Sequence, residues 1–256
     1  MESLVSTERI GSSAVVRMSN PPVNALTRQV AAELLEAWAA AEADAEVTRI
    51  VISGLGKMFV AGADLREIER ITLGELPPDM SYLNELLNAI EQGKTLVVMA
   101  MNGGALGIGL ELAMAGHYRV LEAGAKVGLP EVKLGLIPGA GGTQRLPRLV
   151  GIAAAIGMCV TGEAVGATEA LEMGLVDQVV AGDVVGAALA VSEGRKTCEL
   201  PCDGSVRVIE AVLAAAQAEN FAGGLAEETR LFQGSLVSTE AREKVGAFFA
   251  ARRKPV

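Results

Sequence analysis

The sequence predicts an α/β fold, with one large core and a run of helices at its end. Segments of strand length alternate with segments of helix length through residues 14–180. Half of the 256 residues are apolar, enough for one sizeable domain or a domain with an appendage. With one Trp, two Tyr and five Phe against thirty Gly, that core must be filled by Ala, Val, Leu and Ile at close backbone approach.

Residues 14–18 read as a strand. Residues 27–43 set Leu34, Leu35 and Trp38 at helical spacing, with Thr27 available as an N-cap. Residues 49–53 form a short apolar strand, 64–71 a helix, and 73–79, with a Gly and two prolines, a mobile loop. A helix over 82–91 precedes an apolar strand over 95–101. Helices are expected at 144–150, 152–161 and 168–173, the last ending at Gly174, and a strand at 176–180. The most apolar window, 149–160, is about half the roughly 20 residues that span a bilayer, so it reads as a buried helix. A charged stretch with Pro201, 193–205, is the expected linker, followed by helices near 206–219, 225–232 and 239–253. This divides the chain into a core over 1–195 and a helical region over 196–256.

The organising stretch is 103–146, a Gly-rich segment that sets Glu111 and Glu131 among apolar residues. Glu111 falls near the start of a short, nearly all-apolar helix, where burying a carboxylate is costly without a partner. Glu131 follows Pro130 and is expected on a loop after a short strand centred on Val127. A first-turn Glu is also favoured by the helix dipole alone, and a Glu close to Lys133 also suits a solvated loop. Spacing leaves both readings open.

A net charge of −9 and a pI near 4.8 argue against a nucleic-acid partner, which would demand a basic patch. A small anionic ligand is compatible with a few local cations and helix N-termini. Cys159, Cys198 and Cys202 have no metal-ligand companions and read as thiols in a reducing compartment. The N-terminal residues lack a signal or transit pattern, so a cytoplasmic protein is expected, with no membrane partner. Gly107-Ile108-Gly109 has Leu112 where a dinucleotide fingerprint needs its third Gly, and there is no phosphate-loop motif. The only histidine, His117, follows the apolar helix and reads as structural, so neither a His-based triad nor a metal or redox cofactor is implied.

Four ordered motifs carry a family resemblance: PPVNAL at 21–26, FVAGADL at 59–65, NGGALGIGLELAMA at 102–115 and GLPEVKLGLIPGAGGTQRLPRLVG at 128–151. The chain resembles the crotonase (enoyl-CoA hydratase/isomerase) superfamily over nearly its whole length. HYRV at 117–120 and SNPPVNAL at 19–26 look most like the hydratase half of multifunctional fatty-acid oxidation enzymes, although the sequence ends at Val256 without a dehydrogenase-like half. The resemblance implies a spiral of ββα turns, with a C-terminal helical region that assembles homotrimers or dimers of trimers. Phe248 and Phe249 would suit such an interface or ordinary core packing.

It also implies an acyl-CoA thioester substrate, with its enolate held by the backbone N–H groups of Ala63 and Ile108. Many relatives have Gly where this chain has Ile108, so the pocket near the acyl group should differ in shape. Glu111 and Glu131 match the two catalytic glutamates of the hydratases, and Gly139 matches a position whose N–H holds the water. Lys57, Arg66, Ala61 and Ala25 match CoA-binding positions, Lys57 and Arg66 suiting solvated charges equally well. The activity implied is hydration of a trans-2-enoyl-CoA. The alternatives are Δ3-Δ2-enoyl-CoA isomerisation at the same site, or acyl-CoA binding without turnover.

Overall fold

The computed structural model describes residues 3–192, 221–237 and 239–251. A hairpin of β1 (Val5–Ile10) and β2 (Ser13–Met18) opens the chain. β2 is nearly all buried and continues in parallel into β3 (Arg49–Gly54), β5 (Leu96–Met101), β7 (Tyr118–Glu122) and β10 (Gln178–Val180). Beside this six-stranded sheet stands a small one of β4 (Met58–Val60), β6 (Gly104–Leu106), β8 (Lys126–Gly128) and β9 (Val165–Gly166). Only β9 runs antiparallel in it.

The chain visits the large sheet, then the small one, then a helix, and repeats. β3 and β4 lead to α2 (Leu65–Thr72) and α3 (Ser81–Gln92); β5 and β6 lead to α4 (Ile108–Ala115). β7 and β8 lead through a 3-10 turn, Glu131–Leu134, to α5 (Gly142–Val150) and α6 (Ile152–Thr161). This is the spiral of ββα turns. Strand periodicity divides the large sheet's side chains: Ile50 and Ile52 enter the main core with α1 (Arg28–Ala43) and α3. Val51, Val98 and Val120 face α8 (Val184–Leu189). Each fully buried aliphatic side chain contributes about 1.5–3 kcal/mol relative to an exposed one.

Local signals set the helix ends. Thr27 accepts the Val30 N–H at 3.2 Å and starts α1, as its sequence indicates. α7 (Ala167–Glu172) ends before Gly174, which takes φ +78°. His117 is structural: Nδ1 accepts the Val97 N–H at 3.1 Å, and Nε2 lies 3.3 Å from Glu91 O. Arg119 and Asp177 form a buried ion pair at 2.8 Å that ties β7 to the approach to β10.

Several expectations need correction. β1 is not expected from the sequence at all: it has no apolar alternation and five exposed residues, so only its pairing with β2 makes it a strand. The window 149–160 is not one buried helix. Gly151, at φ +80°, separates α5 from α6, and Ile156 and Val160 are 57% and 66% exposed. The helix expected from 64 starts at Leu65 with Asp64 as its cap, and the strand expected from 176 starts at Gln178.

The expected linker, the helix near 206–219 and the boundary at 195 lie outside the described residues. Beyond them, α9 (Phe221–Leu236) and α10 (Thr239–Ala250) pack back on the core. Arg242 Nε donates to Thr72 O at 2.7 Å, and Asn84 Nδ2 to Thr229 Oγ1 at 3.3 Å. The rings of Phe248 and Phe249 meet edge to face at 5.4 Å, and Phe249 packs on the main core. No helix among the described residues is long and apolar enough to cross a membrane.

Candidate active site

The small sheet positions the candidate residues. β4, β6 and β8 are parallel, and their C-terminal ends deliver 61–64, Gly107 and 129–131 to one side of the molecule, where open parallel sheets receive ligands. The segment 23–26 runs alongside: Ala61 N donates to Val23 O at 3.1 Å and Leu26 N to Gly62 O at 2.9 Å. Ala25 and Ala61 therefore lie on neighbouring backbone lines. Ala63 follows Gly62 and precedes Asp64, whose carboxylate accepts the Arg66 N–H at 3.0 Å and starts α2.

Gly107 is the hub. It accepts the Glu111 N–H at 3.0 Å and donates to Gly128 O at 2.9 Å, joining α4 to β8. Its φ of +55° with ψ of −128° suits glycine alone. A Cβ there would stand 2.9 Å from Glu131 Oε1 and 3.9 Å from Gly62 Cα, so the turns after all three strands meet at this residue. Among the described residues no acceptor takes the N–H of Ala63 or of Ile108. Both amides can serve a ligand oxygen. Ile108 keeps an ordinary φ at the first position of α4 and is 4% exposed, so its side chain is packed into the core.

The two glutamates are held differently. Glu111, 2% exposed on α4, accepts the Ala140 N–H at 2.9 Å and the Gly142 N–H at 2.7 Å, both on Oε1. These donors offset the cost of burying the carboxylate and orient it. Glu131 is half-buried and opens the 3-10 turn rather than lying on a loop, because Leu136 N–H and Gly135 N–H close back onto Glu131 and Val132. Lys133 does not serve as its cation, since the ammonium pairs with Glu163 at 2.8 Å. Gly139 is buried, one residue before the donor at Ala140, and its carbonyl accepts from Asn84 Nδ2 at 3.3 Å.

The two expected cations are on the surface, whereas Glu111 is buried. Lys57 is exposed on the turn before β4. Arg66 is exposed and grips Asp64 with two nitrogens at 3.0 and 3.1 Å. Burial raises the Asp64 pKa, but hydrogen bonds from the Arg66 side chain and N–H outweigh it and hold the carboxyl below its usual range.

Sequence reasoning passed over a neighbouring cluster in which the Arg28 guanidinium lies 4.1 Å over the Tyr82 ring and Tyr82 O–H donates to Glu67 at 3.4 Å. Burial and the Glu67 carboxylate push the Tyr82 phenol well above its usual range, so it stays a neutral donor. It also passed over Arg145, Asn88 and Glu91 behind the 139–142 loop. Only a buried Arg in an apolar context could have marked these. Among the described residues no group of three or more His, Cys, Asp or Glu is placed to hold a metal ion.

A family model described as enoyl-CoA hydratase/isomerase matches residues 8–256. A probable enoyl-CoA hydratase of Bacillus subtilis is 38% identical over 246 residues, covering 94% of this chain and 93% of that protein. The peroxisomal bifunctional enzyme of Danio rerio is 49% identical over 168 residues, 66% of this chain but 23% of that longer protein. Among solved structures, a carnitinyl-CoA hydratase from Mycobacterium avium matches with a TM-score of 0.77 at 33% identity, covering 100% of this chain and 98% of that one. The chain belongs to the enoyl-CoA hydratase/isomerase family, the crotonase superfamily.

Proposed function

We propose that this protein adds water across the double bond of a trans-2-enoyl-CoA to give a 3-hydroxyacyl-CoA. The observation that carries this reading is the pair of carboxyls on adjoining turns, Glu111 seated by the Ala140 and Gly142 N–H groups and Glu131 against Gly107, to whose carbonyl the Glu111 N–H donates. Hydration demands a base for the water and an acid for Cα, which two carboxyls sharing one proton supply.

In this mechanism the N–H groups of Ala63 and Ile108 hold the thioester oxygen. Preorganised donors of this kind each supply about 3–4 kcal/mol to a transition state with oxyanion character. Glu111 orients the water, with the Gly139 N–H as a second anchor, and takes its proton as the water oxygen bonds to Cβ. The π electrons move to the enolate, whose charge rests on the thioester oxygen. Glu131 then delivers its proton to Cα, and exchange with solvent restores the pair. The CoA moiety lies along 23–26 and 61–66, with Lys57 and Arg66 at its phosphates, Arg66 exchanging part of its hold on Asp64.

The test is loss of the conjugated enoyl absorbance with crotonyl-CoA and a longer enoyl-CoA, alongside Glu111→Gln and Glu131→Gln. Rapid loss in the native protein and collapse in both variants is the expected result. Binding of the thioester without loss of absorbance would overturn hydration. Turnover of a 3-enoyl-CoA alone would then assign the site to isomerisation, and no turnover at all to acyl-CoA binding.

A further inference from the structure

Arg145 is 3% exposed on α5, behind the loop 139–142. Its Nη1 donates to Ala140 O at 2.9 Å. Its Nη2 donates to Asn88 Oδ1 at 2.9 Å and to Glu91 Oε2 at 2.8 Å, both on α3. The loop is folded tightly onto this guanidinium, so closely that a Cβ on Gly141 would collide with it. On its other side the loop presents the Ala140 and Gly142 N–H groups to Glu111 Oε1. Ala140 is thus gripped through its carbonyl by Arg145, and through its N–H it grips Glu111. With glycine at 139, 141 and 142, the loop has little stiffness of its own, so an external tether must set its geometry.

We infer that Arg145, anchored by Glu91 and Asn88, is a positioning residue that fixes the loop on which the Glu111 carboxylate is seated. The planar fork is essential: it reaches a carbonyl on one side and two side-chain oxygens on α3 on the other, which a single ammonium cannot reproduce. The kinetic consequence rests on the hydratase reading, whereas the effect on the loop rests on these contacts alone.

The experiment compares the native protein with Arg145→Lys, Arg145→Gln and Glu91→Gln, measuring kcat and KM for crotonyl-CoA and hydrogen exchange at the Ala140 and Gly142 amides. Arg145→Gln should lose about a hundredfold in kcat with KM nearly unchanged, the scale expected when a reacting group is misplaced by about 1 Å. Arg145→Lys should recover part of the loss. Both amides should exchange faster while those of β5 keep their protection, which a general loss of stability would not produce. A folded Arg145→Gln with native kcat and native exchange at both amides overturns the inference. If that variant does not fold, Glu91→Gln and Asn88→Ala keep the guanidinium and decide the matter, since native kcat and exchange in both overturn it equally. A native protein that hydrates no enoyl-CoA defeats the function proposed above, and exchange at the two amides still decides this one.

Discussion

Replacing Gly142 with Ala strikes the Glu111 seat without straining the backbone, because Gly142 is the first residue of α5 and its φ is not positive. The new Cβ would stand 2.6 Å from Pro138 Cβ and 2.7 Å from Glu111 Oε1, and ordinary contact starts at 3.4 Å, so the carboxylate must retreat by 0.7 Å. It can do so only by weakening the 2.7 Å hydrogen bond from Gly142 N–H. A bond of this type to a charged group contributes about 1.5–3 kcal/mol. A displacement approaching 1 Å in a reacting group costs about tenfold to a hundredfold in kcat, or about 1.4–2.7 kcal/mol of barrier. Overpacking adds about 1–3 kcal/mol to the cost in stability. Gly157→Ala is the control, since a Cβ there meets nothing within 4 Å on α6. It should leave kcat unchanged and add about 0.4–1 kcal/mol of stability. Initial rates on crotonyl-CoA and thermal melts read both effects. A folded Gly142→Ala protein with native kcat would refute the role given to the seat, and a raised KM with native kcat would make Gly142 part of the substrate wall instead.

Asp64→Asn tests the helix cap and its ion pair through pH. The Asp64 carboxyl is held below the ordinary 3.8, so its contribution is present in full above that value and is lost as pH falls through the lowered folded value. The stability difference between native and Asp64→Asn proteins should shrink from about pH 6 to about pH 3, and a constant difference in denaturant melts would refute the pairing. A separate expectation concerns assembly. Ile156 and Val160, 57% and 66% exposed one turn apart on α6, leave an apolar face uncovered, and we propose that the homotrimer or dimer of trimers implied by the family resemblance covers it. Ile156→Glu should lower the mass measured by light scattering, and a native monomer at micromolar concentration would refute the assembly.

How much of the fold could be read depended on where each element's partner lies. α1 and α3 carry their evidence locally, in buried Leu34 of one and in Leu83, Leu86, Leu87 and Ile90 of the other. β5 is legible as a buried apolar run. β4, β6 and β9 are three residues long or shorter, so a period of two has no room to appear, whereas β8, equally short, is where a strand centred on Val127 is expected. α6 misled for the opposite reason. It is apolar all round, and apolar character says that a face can be covered without saying by what.

The site divides along the same line. A Glu inside an apolar helix signals that something must partner it, but the amides seating Glu111 lie 29 and 31 residues away, and only the family resemblance gave both glutamates a catalytic role. Glycines were the misleading letters. In sequence they read as turns and breakers, yet at three in this stretch the space of a side chain is already taken by an ionisable group: Glu131 Oε1 beside Gly107, the Arg145 guanidinium beside Gly141, and Glu111 Oε1 beside Gly142. A methyl group at any of the three would displace a carboxyl group or the guanidinium rather than merely stiffen a loop. The glycine density of 103–146 therefore has two sources: at 107, 141 and 142 a carboxyl group or guanidinium lies against the backbone, and at 103, 109 and 128 another stretch of backbone does, contacts that exist only once the spiral has closed.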